Sequence, residues 1–281
     1  MTVRIVTDSS CDLSHEETTA LGIEVVPLTI RFGQKEYVDR EELSVDDFYT
    51  EMAANAELPE TAAPAPGAFE MVFRKLAEEG ASGVVCINLS SQLSATFQSA
   101  RTAANALEGG VPVAVIDSNS ITAGLGTQVL EAAKAAQRGA TVEEITELVN
   151  NMVKRTHVVG VLDTLENLKK GGRIGGAAAL LGSMLSIKPA IDISSGAVKE
   201  AGKPRTRKKA IQWLADQVLA SGEVEQLAIM HGNAPDEEIE TLLGILAPRF
   251  ERENIRIGKI GAVIGTHGGP RVIGACFLAD S

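Results

Sequence analysis

Aromatic residues make up only 4% of the 281 residues, so the core must be built from Ala, Val, Ile and Leu rather than from rings. Cysteine is scarcer still. Cys11, Cys86 and Cys276 are far apart, odd in number and free of CxxC spacing, which indicates neither a disulfide framework nor a zinc site. That usage fits a reducing, cytoplasmic setting. Positive charge is in deficit, with 26 basic against 37 acidic side chains and a net charge of −11, which argues against nucleic acid as the main partner. No apolar run reaches about 18 residues, and MTVRIVTDSSCDL shows no basic stretch leading into an apolar one; neither a stable membrane span nor a secretion signal is expected. Also missing are the GxxxxGK[ST] and GxGxxG nucleotide loops, the HExxH metal helix and the GxSxG nucleophile elbow.

What is present is alternation. VRIVTDSS, IEVVPLTIRF, GVVCINLSS and VPVAVIDSN read as buried strands, and three of their ends (TDSS, NLSS, DSNS) are rich in hydroxyls. Helical stretches such as AFEMVFRKLAEEG and SATFQSARTAANALEG lie between them. Apolar strands followed by helices predict a parallel sheet covered on both faces, with ligands at the carboxyl ends of its strands. After about residue 150 the pattern changes. TVEEITELVNNMVKRT is a helix that bridges two halves, KPAIDISSGAVKEAGKPR reads as two strands around a Ser-Ser-Gly turn, and EQLAIMHG, IRIGKIGAVIG and RVIGACFLA read as further strands. The expected fold class is therefore α/β with two domains. Residues 1–155 form a three-layer parallel-sheet domain and residues 156–281 form a two-layer mixed-sheet domain.

Five segments are candidates for chemistry. In THGGP, His267 is one of four histidines; it is either a loop histidine facing water or the end of a strand facing a ligand. In INLSSQLSATF, Ser90, Ser91 and Ser94 precede a helix and either cap it or, with its free N–H groups, hold an anion. Thr61 is the one hydroxyl of PETAAPAPGAF, which reads as a rigid linker. KKGGRIGGAAALLGSMLSIKPAI either packs closely or leaves a slot walled by small residues, and Arg173, among its glycines, is expected on a surface turn. GKPRTRKKAIQWL, with Arg205, is a dense basic run: a solvated helix start or a dock for an acidic partner. Ser94 and His267 could pair as nucleophile and base, yet spacing offers no third orienting acid.

Taken in order, TDSSCDL, TAAPAPGAF, SSQLSATFQSA, DTLENLKKGGRIG, RTRKKAI and IGTHGGP resemble the DegV family along essentially the whole chain. The resemblance implies a two-domain bacterial protein that buries a long-chain fatty acid, with the ligand at the interface of the two domains and an acyl-chain tunnel in the second, residues 156–281. In some members a separate ATP-dependent kinase subunit phosphorylates the carboxylate, giving an acyl phosphate for phospholipid synthesis. On this reading the chain is a ligand-binding subunit, not a catalyst alone, with no cofactor or metal. Thr61 opens the family's Thr-Ser-Gln-Pro-Ser-like motif, Ser94 matches its Ser-Gly-Thr serine and His267 its Thr-His-x-Gly-Pro histidine, all gathered round the carboxylate. Thr266 and Ser91, beside them in THGGP and SSQLS, complete the candidate ligand-binding set. Arg173 and Arg205 match positions implicated in contact with the kinase. Ala62, Ala63 and Ala65 depart from the first motif's polar residues, Ala95 stands where glycine is usual, and so does Arg271. The tunnel is expected to end near Ala177 to Ile187. The competing readings are a lipid carrier or sensor without a kinase, and a serine acyl hydrolase using Ser94 and His267.

Overall fold

The computed structural model describes residues 2–55, 57–107 and 110–280, and the side chains of 183–186 are left aside. In chain order the first seven strands are β1 (Val3–Asp8), β2 (Glu24–Val26), β3 (Thr29–Phe32), β4 (Lys35–Val38), β5 (Glu60–Ala62), β6 (Gly83–Asn88) and β7 (Val113–Asp117). The next six are β8 (Thr156–Val161), β9 (Ala190–Asp192), β10 (Lys199–Gly202), β11 (Val224–His231), β12 (Ile255–Lys259) and β13 (Ile273–Ala279). Between them lie α1 (His15–Leu21), α2 (Val45–Ala54), α3 (Pro66–Glu78), α4 (Thr96–Ala106), α5 (Thr122–Gln137) and α6 (Val142–Arg155). Then follow α7 (Glu166–Lys170), a 3₁₀ run over Gly175–Ser186, α8 (Arg207–Ala220), α9 (Asp236–Leu246) and α10 (Ala262–Gly268).

The described residues form an α/β protein with a parallel sheet, a mixed sheet and a small antiparallel sheet. The parallel sheet has the order β2-β1-β6-β7. Every residue of β6 is buried, because helices cover both faces of the sheet. Phe69, Phe73 and Leu76 of α3 and Ala100 and Ala103 of α4 pack against Val6, Val84 and Cys86 on one face. On the other face Val85 and Ile87 share a core with α5 and α6. The mixed sheet has the order β10-β9-β8-β13-β11-β12. Its outer face is covered by α8 and α9 through Leu214, Val218, Leu242 and Leu246. Its inner face joins the core that also holds β1 and β6.

Helix α5 is the piece shared by both sheets. Eleven of its sixteen residues are buried, the pattern of a helix apolar all round rather than striped. Its buried Gln128 donates to the Ser118 carbonyl (3.2 Å) and to the Thr156 hydroxyl (3.1 Å), linking the end of β7 to the start of β8. Helix α6, begun by a Thr141/Glu144 capping box, runs directly into β8.

Two segments differ from the sequence expectation. IEVVPLTIRF is not one strand: Pro27, with no N–H to donate, separates β2 in the parallel sheet from β3 in a small antiparallel sheet of order β4-β3-β5. GAVIGTHG is not a strand but α10. Its Ala262 and Val263 bury against Phe48 and Tyr49 of α2, and tertiary packing decides a run too short to show a period.

Candidate functional site

Strand β5 and helix α10 meet at the first feature of the site. Thr61 Oγ1 lies 3.1 Å from His267 Nε2. Thr61 is therefore no linker residue: it pairs with Ile30 across the small sheet, which fixes its direction. His267 closes α10, and the chain then turns through Gly269 at φ 76°. Asn167 holds that turn by donating its side-chain amide to the Thr266 carbonyl (2.9 Å). Gly171 lies flat against the imidazole, where a Cβ would fall well inside contact with Nδ1.

Ser94 reaches the same place from the parallel sheet. Its hydroxyl is 2.9 Å from Thr96 Oγ1 and accepts from the Thr96 N–H (3.3 Å) at the start of α4. The loop before it is tied to the β9–β10 turn: Ser90 donates to the Gly196 carbonyl (2.7 Å) and Gln92 to the Ser195 carbonyl (2.7 Å). Arg173 joins the two sides, its Nε donating to the Leu93 carbonyl (3.1 Å) and a terminal nitrogen to the Gly171 carbonyl (2.6 Å).

Both aspartates of TDSSCDL hold this frame. Asp8 accepts from the Leu89 N–H (2.9 Å), the Asn88 amide (3.1 Å) and the Ser10 hydroxyl (2.5 Å), setting the strand end that leads to Ser94. Asp12 accepts from Arg40 (2.8 Å), the Thr122 hydroxyl (2.6 Å) and the Gly261 N–H (3.0 Å), setting the start of the helix that ends at His267. Burial raises the pKa of both, and these donors oppose the shift. The sequence reading noted the hydroxyls of this motif and missed its carboxylates' role as supports.

Thr61, Ser94, Arg173 and His267 border one cavity of about 230 Å³. Most of its remaining lining is Leu, Ile, Val, Met, Ala and Gly, among them Leu93, Val158, Ile191, Met230 and Val272. Thr122 also borders it, but its hydroxyl is committed to Asp12. A second depression of about 480 Å³, lined by Lys170 and Asn167 among others, shares Thr61, Arg173 and His267 with the first. These three residues thus stand between an apolar interior and a polar exterior.

Burial, reinforced by the Arg173 charge, lowers the His267 pKa to about 4. The imidazole is neutral at pH 7, with one N–H to donate and one nitrogen to accept. Nδ1 has no partner among the described residues, and Ser94 pairs with Thr96 rather than with the histidine. Among the described residues no serine–histidine–acid chain is assembled around Ser94 and His267.

The other candidates do not border the apolar cavity, although Thr266 lines the second depression beside His267. Ser91 is exposed, its N–H donating to Asp117 (3.2 Å), and Thr266 is buried, its hydroxyl donating to the Ala262 carbonyl (2.8 Å); neither borders the apolar cavity. Arg205 is exposed just ahead of α8. Arg271, at φ 61°, ion-pairs with Glu238 and Asp163 (3.5 Å) and is not an anion contact of the cavity. Ala63 and Ala95 do border the cavity, as the apolar replacements of polar or flexible residues. Of the run expected to end the tunnel, Ala177, Leu180 and Ile187 pack into the main core without bordering the cavity; the side chains of 183–186 lie outside the description.

The family model described as "Uncharacterised protein, DegV family" matches residues 2–280. The chain belongs to the DegV family. A DegV domain-containing protein of Halalkalibacterium halodurans is 36% identical over 281 residues, covering 99% of both chains. Among solved structures, a DegV family protein from Thermus thermophilus, described by its fatty acid binding, superposes with a TM-score of 0.90 at 31% identity and full coverage of both chains. DegV of Bacillus subtilis, described as a fatty acid binding protein, gives 0.86 at 29% identity, again over the full length of both. No helix among the described residues is long and apolar enough to cross a membrane.

Proposed function

We propose that this DegV chain binds a long-chain fatty acid between its two domains, residues 1–155 and 156–281. It buries the acyl chain and presents the carboxylate to a separate ATP-dependent kinase subunit, which forms the acyl phosphate. One observation carries the reading: an apolar cavity bordered by the polar side chains of Thr61, Ser94, Arg173 and His267, three of which, Thr61, Arg173 and His267, also line an outward-facing depression. The relatives described as fatty-acid-binding support the ligand class.

The physics of the ligand matches this division. Each buried methylene contributes about 0.8 kcal/mol, so the chain drives association. A carboxylate buried without donors would oppose it. Two hydroxyls, the imidazole N–H of a neutral His267 and the Arg173 charge supply those donors. The chain holds the fatty acid and no other cofactor; the kinase brings ATP. Arg173 and the exposed Arg205 are the proposed contacts for that subunit.

The test combines the purified protein, a long-chain fatty acid, ATP and a bacterial fatty acid kinase subunit. Acyl phosphate formed with the wild type and lost with His267→Ala supports the reading. Fatty acid binding without acyl phosphate would leave a carrier or sensor. Ester hydrolysis without a partner, abolished in Ser94→Ala, would revive the hydrolase.

A further inference from the structure

Two glycines face each other across the middle strands of the mixed sheet. Gly160 of β8 pairs directly with Gly274 of β13. Both border the apolar cavity. The side chains two residues to either side on each strand, Val158 and Leu162, Val272 and Cys276, belong to the inner core, whereas Val159, Val161, Ile273 and Ala275 belong to the outer one. The alternation of a strand therefore points the missing side chains of Gly160 and Gly274 into the cavity.

Neighbours in register continue this level of the sheet. Ile191 pairs with Gly160 on one side and Met230 with Gly274 on the other. Both border the cavity, so the level is a trough with two bulky walls and a bare backbone floor. Its place along the cavity is fixed. A Cβ on Gly268, next to His267, would sit 3.2 Å from Val272, so the Val272–Leu162 level adjoins the polar group. The glycine level is one step deeper, ~7 Å on. The Val158–Cys276 level is a further step in.

Close packing does not require glycine at Gly160. A Cβ built there would meet only ordinary contacts, the Ile273 carbonyl at 3.5 Å and Gly274 Cα and Ile191 Cγ1 at 3.9 Å. Its backbone is not in the left-handed region. Glycine in a strand interior weakens the strand and marks the close approach of a ligand or another backbone.

We propose that the Gly160–Gly274 pair sets the chain length this protein accepts. On the fatty-acid reading above, the acyl chain crosses the sheet on this bare floor to reach the deep end beside Val158 and Cys276. A side chain at this level closes the passage without touching the carboxylate contacts.

The test is a series of saturated fatty acids from decanoate to stearate, titrated against the wild type, Gly160→Val and the milder Gly160→Ala, with thermal melting as the check on folding. The wild type should bind palmitate and stearate more tightly than decanoate. Gly160→Val should weaken stearate by about tenfold or more, the loss of two or more buried methylenes, and leave decanoate unchanged. Gly160→Ala should shift the same way by less. Equal weakening along the series, or no change in a folded Gly160→Val and Gly160→Ala, would overturn the gate and leave the fatty-acid reading standing. A wild type that binds no member of the series would overturn both.

Discussion

Thr61 and His267 stand 206 residues apart in the chain and 3.1 Å apart at Oγ1 and Nε2. One hangs on the edge of the small antiparallel sheet and the other ends a seven-residue helix. Neither element would hold its residue in place alone. The pair exists because Asp12 ties the start of that helix to α5 and Arg40, and because Phe48 and Tyr49 pack its apolar side.

The donor set is the first prediction. Hydrogen bonds to a charged group contribute about 1.5–3 kcal/mol each. Thr61→Ala or His267→Ala should therefore weaken fatty acid binding by roughly ten- to a hundredfold, with melting little changed. Fluorescence displacement or calorimetric titration reads the affinities.

Gly171 tests positioning rather than contact. A Cβ at this residue would collide with His267 Nδ1, so Gly171→Ala should displace the imidazole and weaken binding although residue 171 does not border the cavity. Adding His267→Ala to Gly171→Ala should then cost far less than it does in the wild type, a coupling that a double-mutant cycle measures.

Titration of His267 gives a signed prediction. Its folded pKa of about 4 lies below the ordinary value of 6.5, so between those values the unfolded chain binds more protons. The stability this neutral imidazole supports is complete above about 6.5 and is lost as pH falls toward 4. A bound carboxylate would favour the imidazolium, so ligand should raise the pKa. NMR of the imidazole with and without fatty acid measures the shift.

Asp39 carries the opposite sign. Burial first, then the nearby Asp12 and Asp8, lifts its carboxyl to about 6, while Ser9 and Arg40 pull the other way. The folded state binds the proton more tightly, so this group costs stability as pH rises from about 4 to above 6. At about 1.4 kcal/mol per pKa unit, Asp39→Asn should stabilise the protein by on the order of 2–3 kcal/mol at pH 7 and by little at pH 4. Denaturant melts at the two pH values decide it.

The basic positions separate binding from docking. Arg205→Glu, at an exposed turn, should leave fatty acid affinity unchanged and slow acyl phosphate formation with a kinase. Arg173→Glu should impair both, because Arg173 borders the cavity.

Local pattern carried much of the fold. VRIVTD and GVVCIN are buried on both faces and show it as near-continuous apolar runs, and the α6 helix announces itself by its capping box and period. The Ser-Ser-Gly turn between β9 and β10 was equally legible. What pattern does not carry is whatever depends on distant partners. AVIGTHG is as apolar as a strand and becomes a helix through Asp12 and α2. Thr61 reads as linker because its strand has only three residues and pairs with a segment thirty residues earlier. Of the site, motif resemblance brought Thr61, Ser94 and His267 to notice, and the structure puts all three on one cavity. Gly171, Asn167 and the Asp8 and Asp12 supports stayed hidden, since their partners lie about 80 to 250 residues away.

The most direct test of the central claim is mass spectrometry of lipid extracted from freshly purified protein, wild type beside a Thr61/Ser94/His267 triple alanine variant. A stoichiometric long-chain fatty acid is expected in the wild type and its loss in the variant. A wild type that carries no fatty acid and takes up none when it is supplied would overturn fatty acid binding and leave His267 a structural histidine.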